Sequence, residues 1–194
     1  MNAQEMLART LPRMKGESSG LTFIDALNVG VDLTFERLHR HRSEIIQEPF
    51  DGQDADEDIV DLPANYRGIA GRLTLVDSAG KEHRLKEYTP NETPTGERPQ
   101  YFRLIGVRQM ELLPAPTEQY TLKGRYYAHP GTLTMTSEIP WGGLFDNVLT
   151  EIVIMVSRLG SVEAMTGATR NSVDLMVDGL VSGRTVAPRR NKLW

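Results

Sequence analysis

Residues 145–159 read Phe-Asp-Asn-Val-Leu-Thr-Glu-Ile-Val-Ile-Met-Val-Ser-Arg-Leu. Phe145, Val148, Leu149, Ile152, Val153, Met155, Val156 and Leu159 leave this segment almost no polar side. A helix apolar nearly all round must be covered by other elements. Gly160 suits its C-terminal cap and Ser161 the N-cap of a second helix. That second helix carries Val162, Met165, Thr169, Val173, Met176 and Leu180, one stripe near a seven-residue repeat. After Gly183 the pattern stops and the chain reads as an irregular basic tail.

Working back toward the start, the N-terminal third offers two more helices as cover. Met6, Leu7 and Leu11 suit a short one, and Pro12 limits the regularity of its end. Lys15 to Gly20 is a loop. Thr22 followed by Asp25 resembles a capping box, with an acid in the positive first turn. Ile24, Leu27, Val31, Phe35 and Leu38 then recur at spacings of three and four, the stripe of a long helix ending near His41. Gly30 inside that stripe costs about 1 kcal/mol against Ala, unless another backbone packs closely there.

Between the helical ends the period changes. Arg72 to Leu75 alternates, Ser78-Ala79-Gly80-Lys81 supplies a turn, and Arg84 to Tyr88 reads as the returning strand. Thr89 to Gln100, with Pro90, Pro94 and Pro99 and no apolar residue, is a long exposed loop. Tyr101–Val107, Gln109–Leu113 and Tyr120–Tyr127 are further strands, the last two separated by Leu113-Pro114-Ala115-Pro116. Tyr120, Leu122, Gly124 and Tyr126 share one face. The expected fold is α+β: a four-helix bundle built from residues 1–43 and 141–182, an inserted antiparallel β domain of four to six short strands within 44–140, and a basic tail at 183–194.

The 194-residue chain has no cysteine, which excludes disulfides, thiolate metal sites and a cysteine nucleophile. Its net charge of −4 argues against a general nucleic-acid binder. The first fifteen residues lack the apolar core of a secretory signal, and no apolar run approaches a membrane span, so a cytosolic protein with no membrane partner is expected. Charge is nevertheless segregated. Glu48, Asp51, Asp54, Asp56, Glu57, Asp58 and Asp61 form an acidic run without a base. Arg184, Arg189, Arg190 and Lys192 form a basic one without an acid. Such segments lie on the surface or in tails and sometimes face a charged partner.

Candidate chemistry is thin. Asp54-x-Asp56-x-Asp58 has the alternation of a calcium loop, yet Ile59 stands where glycine is required and Asn65 where glutamate is required, so a solvated acidic loop is the better reading. His39 and His41, two residues apart on a helix, diverge by about 200° and cannot share a metal; His83 and His129 have no ligand spacing around them. Gly142-Gly143 could seat an anion at a helix start, but no phosphate-loop lysine follows, and a flexible start to the helix is preferred. No serine sits in a nucleophile elbow and no carboxylate pair stands out. Tyr101, Tyr120, Tyr126 and Tyr127 could stack a sugar or base, although tyrosines on a half-buried sheet more often pack across strands. Trp194 beside Arg189, Arg190 and Lys192 suits an anchor in a partner's pocket, the alternative being a disordered end. No catalytic, cofactor-binding or metal-binding residue is assigned.

A series of short motifs adds to this. Asp61-Leu62-Pro63-Ala64-Asn65-Tyr66 is followed by the hairpin, Tyr88-Thr89-Pro90-Asn91-Glu92 and Pro99-Gln100-Tyr101. Leu112-Leu113-Pro114-Ala115-Pro116, Tyr120-Thr121-Leu122, Arg125-Tyr126-Tyr127, Pro130 to Leu133 and Ile139-Pro140-Trp141 come next, before the final helix pair. Their order resembles the head-to-tail adaptor, or connector, proteins of short-tailed bacteriophages over about residues 1–180. Leu62 to Trp141 is the most telling part. The acidic run before Leu62 and the tail after Gly183 match no pattern of that family.

The resemblance implies a four-helix bundle with an inserted β domain, in a structural virion protein without enzymatic activity or cofactor. It implies a homo-oligomeric ring, commonly a dodecamer, at the head–tail junction. The portal protein would lie on one side and the tail nozzle protein on the other, with genomic DNA passing through without sequence-specific binding. On that basis the bundle is expected to close the ring, and Arg184, Arg189, Arg190, Lys192, Leu193 and Trp194 to contact the portal. Asp54, Asp56, Glu57 and Asp58 are expected to face the lumen or a partner. Two rival classes remain: a cell-wall hydrolase of a phage tail, and a glycan-binding module using the tyrosine face.

Overall fold

Residues 1–14, 22–50, 52–159 and 167–185 are described by a computed structural model. Two units emerge, Met1–Ile46 with Pro130–Trp194, and Gln47–His129.

In the first unit Asn2 starts helix α1 (Ala3–Thr10) with a reciprocal cap. Its Oδ1 accepts from the Glu5 amide at 2.8 Å, and Glu5 Oε2 accepts from the Asn2 amide at 3.1 Å. After two turns the chain tightens into a 3₁₀ turn at Leu11–Arg13, where Pro12 has no amide to donate. Thr22 caps α2 (Phe23–Arg40) as expected, accepting from the Asp25 amide at 3.2 Å. Leu27, Val31, Phe35 and Leu38 are buried along it, and the helix ends at His41. The decisive apolar segment forms α3 (Asp146–Leu159), with Leu149, Ile152, Val153, Ile154 and Val156 buried. The next helix, α4 (Gly167–Thr185), packs with α3 against α2. Asn28 of α2 also clamps the segment before α3: its Oδ1 accepts from the Leu133 amide at 2.7 Å and its Nδ2 donates to the Leu133 carbonyl at 3.2 Å.

The described residues of the second unit form eleven strands. They are β1 (Gln47–Pro49), β2 (Gln53–Asp54), β3 (Ile59–Asp61), β4 (Tyr66–Ile69), β5 (Thr74–Asp77) and β6 (Glu82–Arg84), then β7 (Lys86–Glu87), β8 (Tyr101–Ile105), β9 (Gln109–Leu113), β10 (Tyr120–Lys123) and β11 (Arg125–Ala128). Three sheets result, in the orders β1-β11-β4, β2-β10-β5-β6 and β3-β9-β8-β7. One core serves all three: Phe50, Val60, Leu75, Phe102, Met110, Leu112, Tyr120 and Leu122 are among its buried members.

This architecture corrects the expected four-helix bundle with an inserted antiparallel β domain. The described residues form four helices and eleven strands in three sheets, and α1 has only eight residues. A helix of two turns spans about 12 Å, too short to run the length of a bundle beside α2. The strands exceed the expected number because most have two to four residues, below the length at which alternation shows in sequence.

Details differ in the same way. The hairpin β5–β6 forms, its turn held by Asp77 Oδ1, which accepts from the amides of Ala79 at 3.0 Å and Lys81 at 2.8 Å. Arg84 to Tyr88 is not one strand, however. Leu85 turns into the core, and Lys86–Glu87 pairs in parallel with β8. Tyr120 to Tyr127 is broken at Gly124, whose φ of 151° and missing Cβ are both needed; an added Cβ would stand 2.6 Å from Leu73 Cδ2 and 2.9 Å from the Arg72 carbonyl oxygen. Among the described side chains of α4 the buried ones are Val173 and Val177, while Met176 is half-buried, and the helix continues beyond Gly183 to Thr185. Gly160, Ser161, Val162 and Met165 lie outside the described residues.

Candidate functional site

The acidic run is divided by its hydrogen bonds. Glu48 on β1 accepts from the Tyr126 hydroxyl at 2.8 Å and from Asn65 Nδ2 at 3.1 Å. Burial, and then Glu48, push the Tyr126 phenol up to about 12. Asp61 accepts from Gln109 Nε2 at 3.1 Å, while Asp51 lies outside the described residues. Asp54, Asp56, Glu57 and Asp58 remain. All four are exposed, and none forms an ion pair among the described residues.

Their backbone is nonetheless fixed. Ala55, fully buried between them, donates its amide to the Tyr120 carbonyl at 2.9 Å, and the Asp58 carbonyl accepts from the Leu112 amide at 2.7 Å. Asp54 at the end of β2, and Asp56, Glu57 and Asp58 in the link to β3, are therefore exposed carboxylates on a backbone anchored at two points. Among the described residues no three His, Asp or Glu side chains gather to hold a metal ion.

A second surface was not foreseen. A cleft of about 460 Å³ has Leu85 and Phe102 in its lining, with Arg72, Arg84, Lys86 and Glu87 exposed around it. Tyr66 also lines it, and its buried hydroxyl has no hydrogen-bond partner among the described residues. Burial, then the neighbouring Glu87 charge, raises that phenol above its ordinary range. The three bases have no ion-pair partner among the described residues. The lining comes from segments around residues 66–73, 84–87 and 102–104, so no linear motif announces it.

The other candidates take structural roles. His41 Nε2 lies 2.8 Å from Asp178 Oδ1, His83 Nε2 lies 2.8 Å from Asp77 Oδ2, and His39 stacks on Phe35 with ring centroids 5.8 Å apart. Tyr120, Tyr126 and Tyr127 are buried, and half-buried Tyr101 makes an edge-to-face contact with Tyr88, ring centroids 6.3 Å apart, so three of the four tyrosines pack the sheets. At Gly142-Gly143 the Asp146 carboxylate lies beside the helix start, 3.5 Å from where a Gly143 Cβ would be. An acid there opposes binding of a second anion.

The family model for SU10 adaptor protein matches residues 1–159. The chain belongs to the SU10 adaptor protein family. No curated protein matches it. The resemblance to phage head-to-tail adaptors is borne out, and this is a bacteriophage adaptor protein, a structural component of the virion.

Within this SU10-family adaptor, the matched residues include the acidic turn and the basic cleft and end where α3 ends. The basic tail lies beyond them. Arg184 falls on α4, with its side chain outside the described residues, and Arg189, Arg190, Lys192, Leu193 and Trp194 lie wholly outside them.

Proposed function

We propose that this adaptor assembles as a closed ring, commonly a dodecamer in such connectors, beneath the portal protein. The ring joins the portal to the tail nozzle protein at the head–tail junction and leaves a channel for genomic DNA. Membership of the adaptor family over residues 1–159 carries this reading. A net charge of −4 per chain fits a conduit, because negative walls repel DNA and let it slide. The residues of the basic tail, Arg184, Arg189, Arg190, Lys192, Leu193 and Trp194, supply the portal contact, since arginine and tryptophan concentrate binding energy at interfaces. Burial of Tyr120, Tyr126 and Tyr127 counts against the glycan-binding alternative and leaves only half-buried Tyr101 of its four tyrosines.

Particle images and mass measurements of the purified protein, alone and mixed with portal, test the proposal. Rings, or rings stacked on portal, are expected. A solitary chain under both conditions overturns it. A peptidoglycan turbidity assay checks the hydrolase alternative, and clearing of the suspension would replace the structural reading.

A further inference from the structure

We propose that neighbouring copies join through residues 47–129, the acidic turn of one copy seating against the basic cleft of the next. This rests on the ring reading and names the surfaces that close the ring. It also replaces the expectation that a four-helix bundle makes the contact.

In the sheet β2-β10-β5-β6, Asp54 stands on one edge strand and Arg84 on the opposite one. In the sheet β3-β9-β8-β7 the same polarity recurs: Asp58 immediately precedes edge strand β3, and Lys86 stands on edge strand β7. Four strands set these edges about 14 Å apart. Asp54, Asp56, Glu57 and Asp58 therefore belong to one pair of edges, and Arg84 and Lys86, with Arg72 nearby in the cleft, to the other, where Glu82 is paired with Lys123 and Glu87 offsets one of the three bases.

Unlike charges on opposite edges of the same unit are what a head-to-tail contact requires. A twofold contact can pair acid with base only where both patches lie in one interface, whereas opposite edges of a sheet face away from each other. A heterologous contact pairs acid with base at every junction, and closes into a ring when the rotation permits. Neither patch spends its charge internally, because none of the four acids and three bases forms an ion pair among the described residues.

One further feature fits the same occupant. Strands β2 and β7 have two residues each. Such short edges resist strand addition, so the contact is made by side-chain charge rather than by extending a sheet.

The test uses two full-length variants. One carries Asp54→Lys, Asp56→Lys and Asp58→Lys, the other Arg84→Glu and Lys86→Glu; both are checked against wild type by thermal melting. Each variant alone has two patches of like sign. Each is expected to run as single chains where wild type forms rings, an association weakened roughly tenfold or more. Mixing the two makes every junction complementary again and is expected to restore rings of alternating composition, a result an unfolded variant cannot give. Should one variant melt abnormally, Asp56→Lys and Lys86→Glu singly take its place.

Rings that persist in both variants overturn the inference and leave the ring reading standing. Folded variants that stay solitary when mixed also overturn it. Rings that persist while Arg84→Glu and Lys86→Glu abolish DNA retention assign the cleft to nucleic acid and overturn it as well. Wild-type protein that stays solitary, alone and with portal, overturns the ring reading itself and this inference with it.

Discussion

Arg37 on α2 donates from Nε and Nη2 to the two carboxylate oxygens of Asp178 on α4, at 2.7 and 2.6 Å. Nη1 reaches Asp174 at 3.3 Å, and His41 approaches Asp178 from the end of α2. A bidentate guanidinium–carboxylate pair fixes direction as well as distance. It defines which face of α4 meets α2, because positions 174 and 178 lie one turn apart beside buried Val173 and Val177.

The pair has a pH signature. Hydrogen bonding to Arg37, opposed by desolvation and helped by His41, holds the Asp178 carboxyl at about 2, below its ordinary 3.8. A carboxylate favoured by the fold contributes stability above pH 4 and loses it as pH falls through about 2. Asp178→Asn is expected to lower stability by roughly 1–2 kcal/mol near neutral pH, allowing for solvent screening of a part-exposed pair. Its denaturation midpoint should converge with that of wild type between pH 4 and pH 2. Parallel curves throughout that window would deny the pair this role.

Gly30 meets Ile152 where α2 and α3 cross. A Cβ on Gly30 would lie 3.2 Å from Ile152 Cγ2 and 3.7 Å from Leu149 Cδ2. The close approach is therefore to a side chain rather than to a backbone. Ala gains about 1 kcal/mol of helix propensity over Gly, while overpacking costs about 1–3 kcal/mol. Gly30→Ala should stay within about 1 kcal/mol of wild type in urea unfolding, and Gly30→Leu should lose about 1–3 kcal/mol or more.

How far the fold could be read follows from these contacts. Helix α2 was legible because both its Thr22 cap and its Leu27–Leu38 stripe are local. The β5–β6 hairpin was legible from its turn, and β9 has the bounds the pattern gives. The break at Gly124 was not, since what forbids a Cβ there is Leu73 and the Arg72 carbonyl, some fifty residues away. The α4 stripe was misread because a heptad selects Met176, whereas pairing of Arg37 with Asp174 and Asp178 turns Val177 inward. Charge alone disclosed the acidic turn. The basic cleft stayed hidden because strands from three different sheets bring Tyr66, Arg84 and Lys86 to one place.

Two buried phenols set an alkaline limit. Tyr120 donates to Glu118 Oε1 at 2.7 Å, and Tyr126 donates to Glu48. Burial first, then the carboxylates, push both up to about 12. Here the neutral form is favoured, so the stability is fully present below pH 10 and is lost as pH rises toward 12. Tyr126→Phe is expected to cost about 1 kcal/mol at pH 7 and to flatten the fall in melting temperature between pH 10 and pH 12. A variant as alkali-sensitive as wild type would place the sensitive group elsewhere.

Tyr66 behaves differently, because its hydroxyl is buried without a partner among the described residues. Removing an unsatisfied polar atom returns its desolvation cost, which is about 1–3 kcal/mol. Tyr66→Phe should therefore leave the chain as stable as wild type or more so in thermal unfolding. Loss of monomer stability would mean that the hydroxyl already has an acceptor.

The tail makes the last prediction. Because α4 runs to Thr185, a stop after that residue removes Arg189, Arg190, Lys192, Leu193 and Trp194 and spares the helix. The ring contact proposed above lies within residues 47–129, so truncated chains should still form rings. Portal binding should fall by roughly tenfold or more, since the removed segment carries the arginines and the tryptophan. Full-length protein should also lose portal affinity with added salt, as screening weakens the three deleted bases. Co-sedimentation with portal at two ionic strengths measures both effects. Portal affinity unchanged by truncation would move that contact to the helices or to the sheets, and ring loss on truncation would move the copy-to-copy contact to the tail.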